Sequence, residues 1–545
     1  MAGRVSFQYS ISAPSSSHFS TRSGAASGSG SSRTGSIATS RSTCGGIDRP
    51  KSMEERRRRS TALATAEVRR PEFDTLSASE RVLVEATQER LRRQRVIFFS
   101  VAAALGGFLF GYDTAVINGA VAAVQQHYQA GALALGASVA SALIGSAIGA
   151  WFAGQIADRI GRVRTMLLAS GLFIIGSLGT GFALSLVDFS AWRIVGGLAV
   201  GIASVVAPAY IAEISPAELR GRLASLQQLA IVLGIFISLL ADFAIAAVAG
   251  SAQGTFLLGT PAWRVMFWVE VIPAVLYGLL ALQIAESPRY LVQRGRDAEA
   301  RVVLRELQGG DVSAKIDEIR RTVKTEAHPR LKDLLNRRYG ILPVVWIGIA
   351  LSLFQQLVGI NVIFYYSSVL WSSVGFSVQN SLLITVITSM TNIATTFIAI
   401  ALVDRIGRKP LLLAGSAGMA ITLGVLAFLF GTAPLAGGQP HLGSITGPIA
   451  LVAANLYVVA FGFSWGPVVW VLLGEMFPNR IRAIAVSVAA AAQWLANFAV
   501  STSFPPLQHL GLGFAYGLYT TAALLSIVFV WIFVRETKGK ELETM

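Results

Sequence analysis

The string Asp158-Arg159-Ile160-Gly161-Arg162 recurs, residue for residue, as Asp404-Arg405-Ile406-Gly407-Arg408, 246 residues further along the chain. A second pattern repeats in the same order: Glu, two residues, Pro, three residues, Arg. It occurs at Glu213, Pro216 and Arg220 and again at Glu475, Pro478 and Arg482, 262 residues apart. Each first string follows an even-numbered apolar run counted from the start of its half, and both offsets are close to half of the apolar body. Two matches in one order predict a duplicated unit, two halves in parallel repeat.

The runs around these strings are built for a membrane. The 545 residues are 53% hydrophobic and only 14% charged, where a soluble domain carries about 25% charged residues. A hydrocarbon core about 30 Å thick needs about 20 apolar residues per helix. Runs of that length lie near 97–122, 132–157, 165–187, 192–213, 223–248 and 265–284, and again near 341–371, 381–403, 410–431, 447–474, 483–503 and 512–534. The expected fold is an all-α membrane protein with twelve transmembrane helices in two six-helix pseudo-symmetric halves, 96–284 and 341–534. A helical linker, 285–340, joins them, with amphipathic stretches at 296–308 and 311–325 that read as short surface helices.

Charge placement sets the expected orientation. Arg159, Arg162 and Arg164 follow span 2, Arg220 and Arg222 span 4, Arg405, Arg408 and Lys409 span 8, and Arg480 and Arg482 span 10. The connections 123–131, 372–380, 432–446 and 504–511 hold no Lys or Arg. The positive-inside rule then puts both termini, the linker and the C-terminal tail 535–545 in the cytoplasm. The net charge of +15 is topology plus a basic tail: residues 1–95 carry 17 Lys and Arg against 9 Asp and Glu. Basic clusters between apolar runs are cytoplasmic loops, so the charge does not imply a nucleic-acid partner.

Residues 1–46 are Ser-, Gly- and Arg-rich without Asp or Glu, a composition that cannot bury enough apolar surface to order itself. They read as a disordered extension, or alternatively as an organellar transit peptide. A capped, charged amphipathic segment from Ser77 to Arg95 leads into the first span. The lone Cys44 excludes a disulfide framework and a multi-Cys metal site. No nucleotide-binding loop or metal-ligand cluster occurs, so no enzyme, metal or cofactor is expected. His127, His441 and His509 read as loop residues.

Seven strings together resemble the sugar porter family of the major facilitator superfamily: GFLFGYD at 107–113, GQIADRIGR at 154–162, PAYIAEISPAELRG at 208–221, ESPR at 286–289, QQLVGIN at 355–361, DRIGRK at 404–409 and ETKG at 536–539. GYDTAVI at 111–117 and SWGPVVWVLLGEMFP at 464–478 are similar to the bacterial proton-coupled xylose and glucose symporters. The resemblance covers residues 96–541. It implies a monosaccharide transporter, a proton-coupled symporter of hexose or pentose working by alternating access. The alternatives are a uniporter of the same fold and a transport-inactive sugar sensor. Implied partners are a sugar, a proton and the lipid bilayer, in a plasma (inner) membrane or, if the tail is a transit peptide, an organellar one. No obligate protein partner is implied.

The residues suit that chemistry. A neutral, hydroxyl-ringed ligand needs side chains that donate and accept without charge, as Gln and Asn do. Gln355, Gln356 and Asn361 lie in span 7, Gln228 in span 5, Asn392 in span 8, and Gln493 and Asn497 in span 11. Unpartnered amides in hydrocarbon are costly, so this many predict a shared polar cavity, or else helix-to-helix hydrogen bonds. Trp470 and Trp494 match the family's sugar-contacting tryptophans, and Tyr365 and Tyr366 its extracellular gating tyrosines. Trp465 reads as packing or gating. Asp113 in span 1 and Arg193 in span 4 are ionisable groups within the membrane, which are expensive there. The resemblance implies that Asp113 takes the proton and Arg193 tunes it; a static ion pair is the alternative. Asp242 and Glu270 carry no assigned role and are expected near opposite membrane faces.

A gating set is expected at the cytoplasmic helix ends. Asp158, Arg159 and Arg162, with Asp404, Arg405 and Arg408, are placed to pair with Glu213 and Glu475, with Arg220, Arg482, Glu286 and Arg289 nearby. Exposed bridges are worth about 0–1 kcal/mol each, which suits a latch that opens every cycle. Gly462, Gly466 and Pro467 mark a flexible break in span 10. The chain departs from the family pattern at Ala285, Arg535 and Ala483, and has Ile235 where xylose symporters carry a second Gln in span 5, which argues against strict pentose selectivity.

Overall fold

Twelve helices are long and apolar enough to cross a membrane. In the computed structural model, which describes residues 77–216, 219–256, 259–325, 331–336, 340–436, 439–478 and 481–537, they are spans 1 to 6, Leu83–His127, Ala132–Ile160, Arg162–Phe182, Leu186–Ile214, Ser225–Ala249 and Ala262–Ala281. Spans 7 to 12 are Pro343–Tyr365, Val378–Val403, Arg408–Thr432, Thr446–Met476, Ile484–Leu510 and Leu512–Phe533. The protein is thus a multi-pass membrane protein, and every expected span is present. The extension read as disordered lies outside the described residues. From Ser77 onward the chain is one helix, Ala78–Ala115, which runs past residue 95 into span 1 without a break. Its start is a capping box: Glu80 N–H donates to Ser77 Oγ, and the Ser77 hydroxyl and backbone N–H donate to the Glu80 carboxylate. Those two donors hold the Glu80 carboxyl below its ordinary range.

The repeated string becomes a repeated turn. Gly161 (φ +96°) joins span 2 to span 3, and Gly407 (φ +102°) joins the helix Val378–Ile406 to span 9. Such dihedrals are open to glycine and strained for residues with a Cβ. A Cβ would also strike a carboxylate in each case, Glu286 Oε2 at Gly161 and Glu536 Oε2 at Gly407. Those carboxylates accept the free N–H groups that begin spans 3 and 9: Glu286 takes Arg162 N (2.9 Å) and Val163 N (3.3 Å), and Glu536 takes Arg408 N (3.0 Å) and Lys409 N (2.9 Å). A negative group at a helix N-terminus satisfies orphan donors and opposes the helix dipole. Gly407→Ala is expected to cost about 1–3 kcal/mol from the backbone alone, and more from moving Glu536. The midpoint of thermal unfolding in detergent reads it; an unchanged midpoint would mean the turn accepts a side chain.

Four spans are interrupted. Span 1 changes helix at Val116. Span 6 changes at Glu270, three residues before Pro273, whose ring nitrogen cannot donate. Span 7 stops at Leu357 and restarts at Ile360 across Gly359 (φ +81°), and Tyr457 Oη donates to the Val358 carbonyl at the break (2.7 Å). Span 10 breaks at Phe463 and Ser464, between the glycines expected to loosen it.

Between spans 6 and 7 lie three short helices, Pro288–Gln293, Asp297–Gln308 and Ser313–Thr325. They enclose a small core of Leu291, Val292, Ala300, Leu304, Val312 and Ile316, separate from the continuous core of the spans. The linker lies at one end of the bundle, where Arg95 of the first helix reaches Glu306 (3.9 Å). At the far end the two halves meet: Asn118 Nδ2 donates to Phe364 O (2.8 Å), and Ser368 Oγ donates to Asn118 O (2.6 Å).

Candidate functional site

The break in span 7 explains how its three amides come together. Gln356 and Asn361 sit on opposite sides of Gly359, and Asn361 Nδ2 donates to Gln356 Oε1 across the gap (2.5 Å). Gln355, 3% exposed, turns toward the other break and donates Nε2 to Trp465 O (2.9 Å) and Gly466 O (3.2 Å) in span 10. Its Oε1 has no protein partner. A buried acceptor left unmade costs about 1–3 kcal/mol. Gln355 therefore offers acceptor capacity that the described residues do not use.

Span 11 adds Asn497, which is buried, accepts from Ser501 Oγ (3.1 Å) and donates to Tyr365 Oη (3.5 Å). Gln493, one turn earlier, is half-buried with an unpartnered Oε1. Trp494 is buried and its ring meets Phe110 of span 1 at 5.6 Å, a contact between halves at the level of the amides. Tyr366 Oη donates to Ser501 O (2.9 Å) and its ring lies against Phe504 (5.1 Å). Both tyrosines thus tie the far end of span 7 to span 11. Gln228 and Asn392 are half-buried. Trp470 is 40% exposed, whereas Trp465 is fully buried and donates its indole N–H to Ser416 Oγ (2.9 Å) and Leu412 O (3.2 Å). Trp465 is therefore a packing anchor, and Trp470 keeps an open face.

The ionisable group is buried in the first half. Arg193 Nη1 meets Asp113 Oδ1 at 2.8 Å and the Asp113 carbonyl at 3.1 Å, and both side chains are at least 95% buried. The Arg193 guanidinium lies 5.8 Å from the Phe267 ring centroid. Asp113 Oδ2 and Arg193 Nε have no partners among the described residues, which leave the pair incompletely satisfied. Desolvating such a pair costs several kcal/mol per ion unless hydrogen bonds complete it. Glu270, fully buried, accepts from Ser177 Oγ (2.9 Å) and leaves Oε1 unpartnered. Phe267 and Glu270 are three residues apart and share a face of span 6, so Glu270 belongs to this group. Asp242, also fully buried, accepts from Gly119 N (3.2 Å).

Sequence reasoning gave Glu270 and Asp242 no role and overlooked Ser177 and Gln227. Gln227 is 9% exposed with both amide atoms unpartnered. Its adjacency to Gln228 was the available signal; which of two neighbouring glutamines faces inward depends on the rotation of span 5.

At the linker end the expected charges form two matching networks, one in each half. Arg162 grips Glu213 with two bonds (Nη2 to Oε1 2.9 Å, Nε to Oε2 3.0 Å) and meets Asp158 at 3.1 Å. Arg289 stands 4.0 Å from Glu213. Arg408 grips Glu475 in the same way (2.7 and 3.1 Å), and Thr537 Oγ1 adds a bond to Glu475 (2.6 Å). Arg159 contributes its carbonyl, which accepts from Arg294 (2.5 Å) and Tyr290 (3.4 Å). Arg405 lies exposed at the end of its helix. Arg220 and Arg482 begin helices, but their side chains, and that of Asp404, are outside those described.

A family model described as sugar (and other) transporter matches residues 99–545. The glucose transport protein of Synechocystis sp. is 62% identical over 452 residues, covering 83% of this chain and 97% of that protein. The D-xylose-proton symporter of Escherichia coli K12 is 39% identical over 484 residues, covering 83% and 95%. Among solved structures, a partially occluded, inward-open conformation of the xylose transporter XylE from E. coli matches with a TM-score of 0.70 at 38% identity, covering 82% of this chain and 100% of that one.

Proposed function

The chain belongs to the sugar porter family of the major facilitator superfamily, a family of transporters and not of enzymes, and on that premise we propose that it imports a monosaccharide, hexose or pentose, together with a proton by alternating access. The observation that carries the reading is the buried, half-satisfied Asp113 and Arg193 pair in one half, set against unsatisfied amides in the other. The names of the two relatives, one for glucose and one for xylose with a proton, point the same way.

In this reading Gln355, Gln356, Asn361, Gln228, Asn392, Gln493 and Asn497 partner the sugar hydroxyls, and Trp470 and Trp494 pack on its C–H faces. Asp113 carries the proton. A neighbouring cation favours the carboxylate and desolvation favours the acid, so a movement that separates Asp113 from Arg193 drives proton uptake. Tyr365 and Tyr366 belong to the far gate. Arg162 with Glu213 and Arg408 with Glu475, capped by Glu286 and Glu536, brace each half as a rigid body for the rocking motion. The chain is placed in the plasma (inner) membrane with both termini and the linker cytoplasmic, so the end where Asn118 closes on span 7 faces outward.

Uptake of labelled hexoses and pentoses into proteoliposomes, with and without an imposed pH gradient, tests the function. Accumulation above the external level is expected only with the interior alkaline. Equal uptake under both conditions would make the protein a uniporter, and no uptake of any monosaccharide would remove the substrate assignment.

A further inference from the structure

The bend in span 1 has a brace in span 5. Thr114 Oγ1 donates back to the carbonyls of Phe110 (2.8 Å) and Gly111 (3.1 Å), a bonding pattern that bends helices. The first helix ends at Ala115 and a second, 11 residues long, starts at Ile117. A restarted helix leaves its first N–H groups without intrahelical acceptors. Asp242 supplies one: its Oδ2 accepts from Gly119 N–H at 3.2 Å. One turn earlier on the same face, Ser238 Oγ donates to Tyr112 O at 3.1 Å, so span 5 grips the chain on both sides of the bend. The fit at Asp242 is tight. A Cβ at Gly119 would lie 2.6–2.7 Å from the Asp242 side chain. Asp242 is 0% exposed, and its other oxygen has no partner among the described residues.

The braced segment is the one that closes the far end. Asn118, next to Gly119, donates to Phe364 O and accepts from Ser368 Oγ, both in the other half. We propose that Asp242 is a positioning residue of the outer gate: by accepting the Gly119 N–H it fixes the restarted helix of span 1, and so holds Asn118 where it joins the two halves. The inference rests on the alternating-access reading. It gives Asp242 a task distinct from that of Asp113, whose partner is Arg193. The task needs an acceptor oxygen at that place and does not need a charge.

The test is the distance between spin labels at Ala134→Cys and Gln379→Cys, exposed positions at the far ends of the two halves, in full-length protein carrying Cys44→Ser. Without sugar the wild type is expected to show mainly the short, closed distance. Asp242→Ala removes the acceptor and should raise the open-to-closed ratio about tenfold, the size of one lost buried hydrogen bond. Asp242→Asn keeps an oxygen for Gly119 and should retain the wild-type distribution, which a role for the carboxylate charge would not. Asp242→Leu, which keeps the volume of the side chain but has no acceptor, carries the same expectation and serves if the alanine protein does not fold. An unchanged distribution in the variant without the acceptor, or an equal shift in Asp242→Asn, overturns the proposal. Sugar uptake by the unlabelled wild type is measured in parallel, so failure of the transport reading shows as absent uptake with the Asp242→Ala shift intact.

Discussion

Asp113→Asn protein in proteoliposomes is expected to equilibrate sugar without concentrating it. One proton coupled to one sugar can raise the internal level about tenfold per pH unit of gradient, since a pH unit is worth about 1.4 kcal/mol. The wild type should approach that ratio and the variant should fall to one, with exchange of sugar across the membrane retained. The geometry supports a selective loss. An asparagine has the size of Asp113 and can still accept from Arg193 Nη1, which now sits 2.8 Å from Oδ1. Its amide cannot take up or release a proton. Removing one member of a buried ion pair ordinarily costs about 3–5 kcal/mol because the other charge is stranded. Here the guanidinium keeps the backbone carbonyl of residue 113 (3.1 Å) and the Phe267 ring as partners. Accumulation by Asp113→Asn equal to that of the wild type would return the pair to a purely structural role.

The second large effect is expected at the span 7 break. Gln356→Ala removes the amide that bonds Asn361 across Gly359 and leaves Asn361 Nδ2 without its partner. Two groups proposed to bond a sugar hydroxyl are then disturbed together. At about 1–3 kcal/mol for each buried polar group left unpaired, about 2–6 kcal/mol for the two, kcat/KM for sugar uptake should fall by at least about 30-fold, mostly through KM. The accumulation ratio at saturating sugar should remain, because Asp113 and Arg193 are untouched. Gln355→Ala is a different case. Its Nε2 holds the span 10 break at Trp465 and Gly466, so its loss reaches the gate as well as the sugar. An unaltered KM in Gln356→Ala would mean that the amide pair serves the break and not the ligand.

Much of this was legible in the residues. Twelve runs of apolar residues became twelve spans, and the two DRIGR strings became two turns built alike. Their glycines were visible in the sequence, but the reason for them was not: Glu286 and Glu536 fold back from more than 120 residues away to cap the helices that follow. The charged residues of the linker end were identified by motif and expected to act as a latch between halves. The structure pairs Arg162 with Glu213 and Arg408 with Glu475 inside each half, and contacts between halves include the ring pair Phe110 and Trp494 and, at the far end, Asn118 with Phe364 and Ser368. Nothing in the sequence singles out Asn118, because its partners in the other half are a backbone carbonyl and a serine hydroxyl.

Sequence alone determined what depends on neighbours along the chain: span lengths, the order of apolar and basic segments, the duplication, and which spans carry amides and charges. Hydrophobic burial needs only length and composition, and a bilayer reads both locally. Tertiary structure decided what each buried polar atom touches. Asp113 has a cation, Glu270 a hydroxyl, Asp242 a backbone N–H, and Gln355 a broken helix. A buried polar group is stable only with a partner of the right kind at about 3 Å. That partner comes from another span, set by packing and by where each helix breaks.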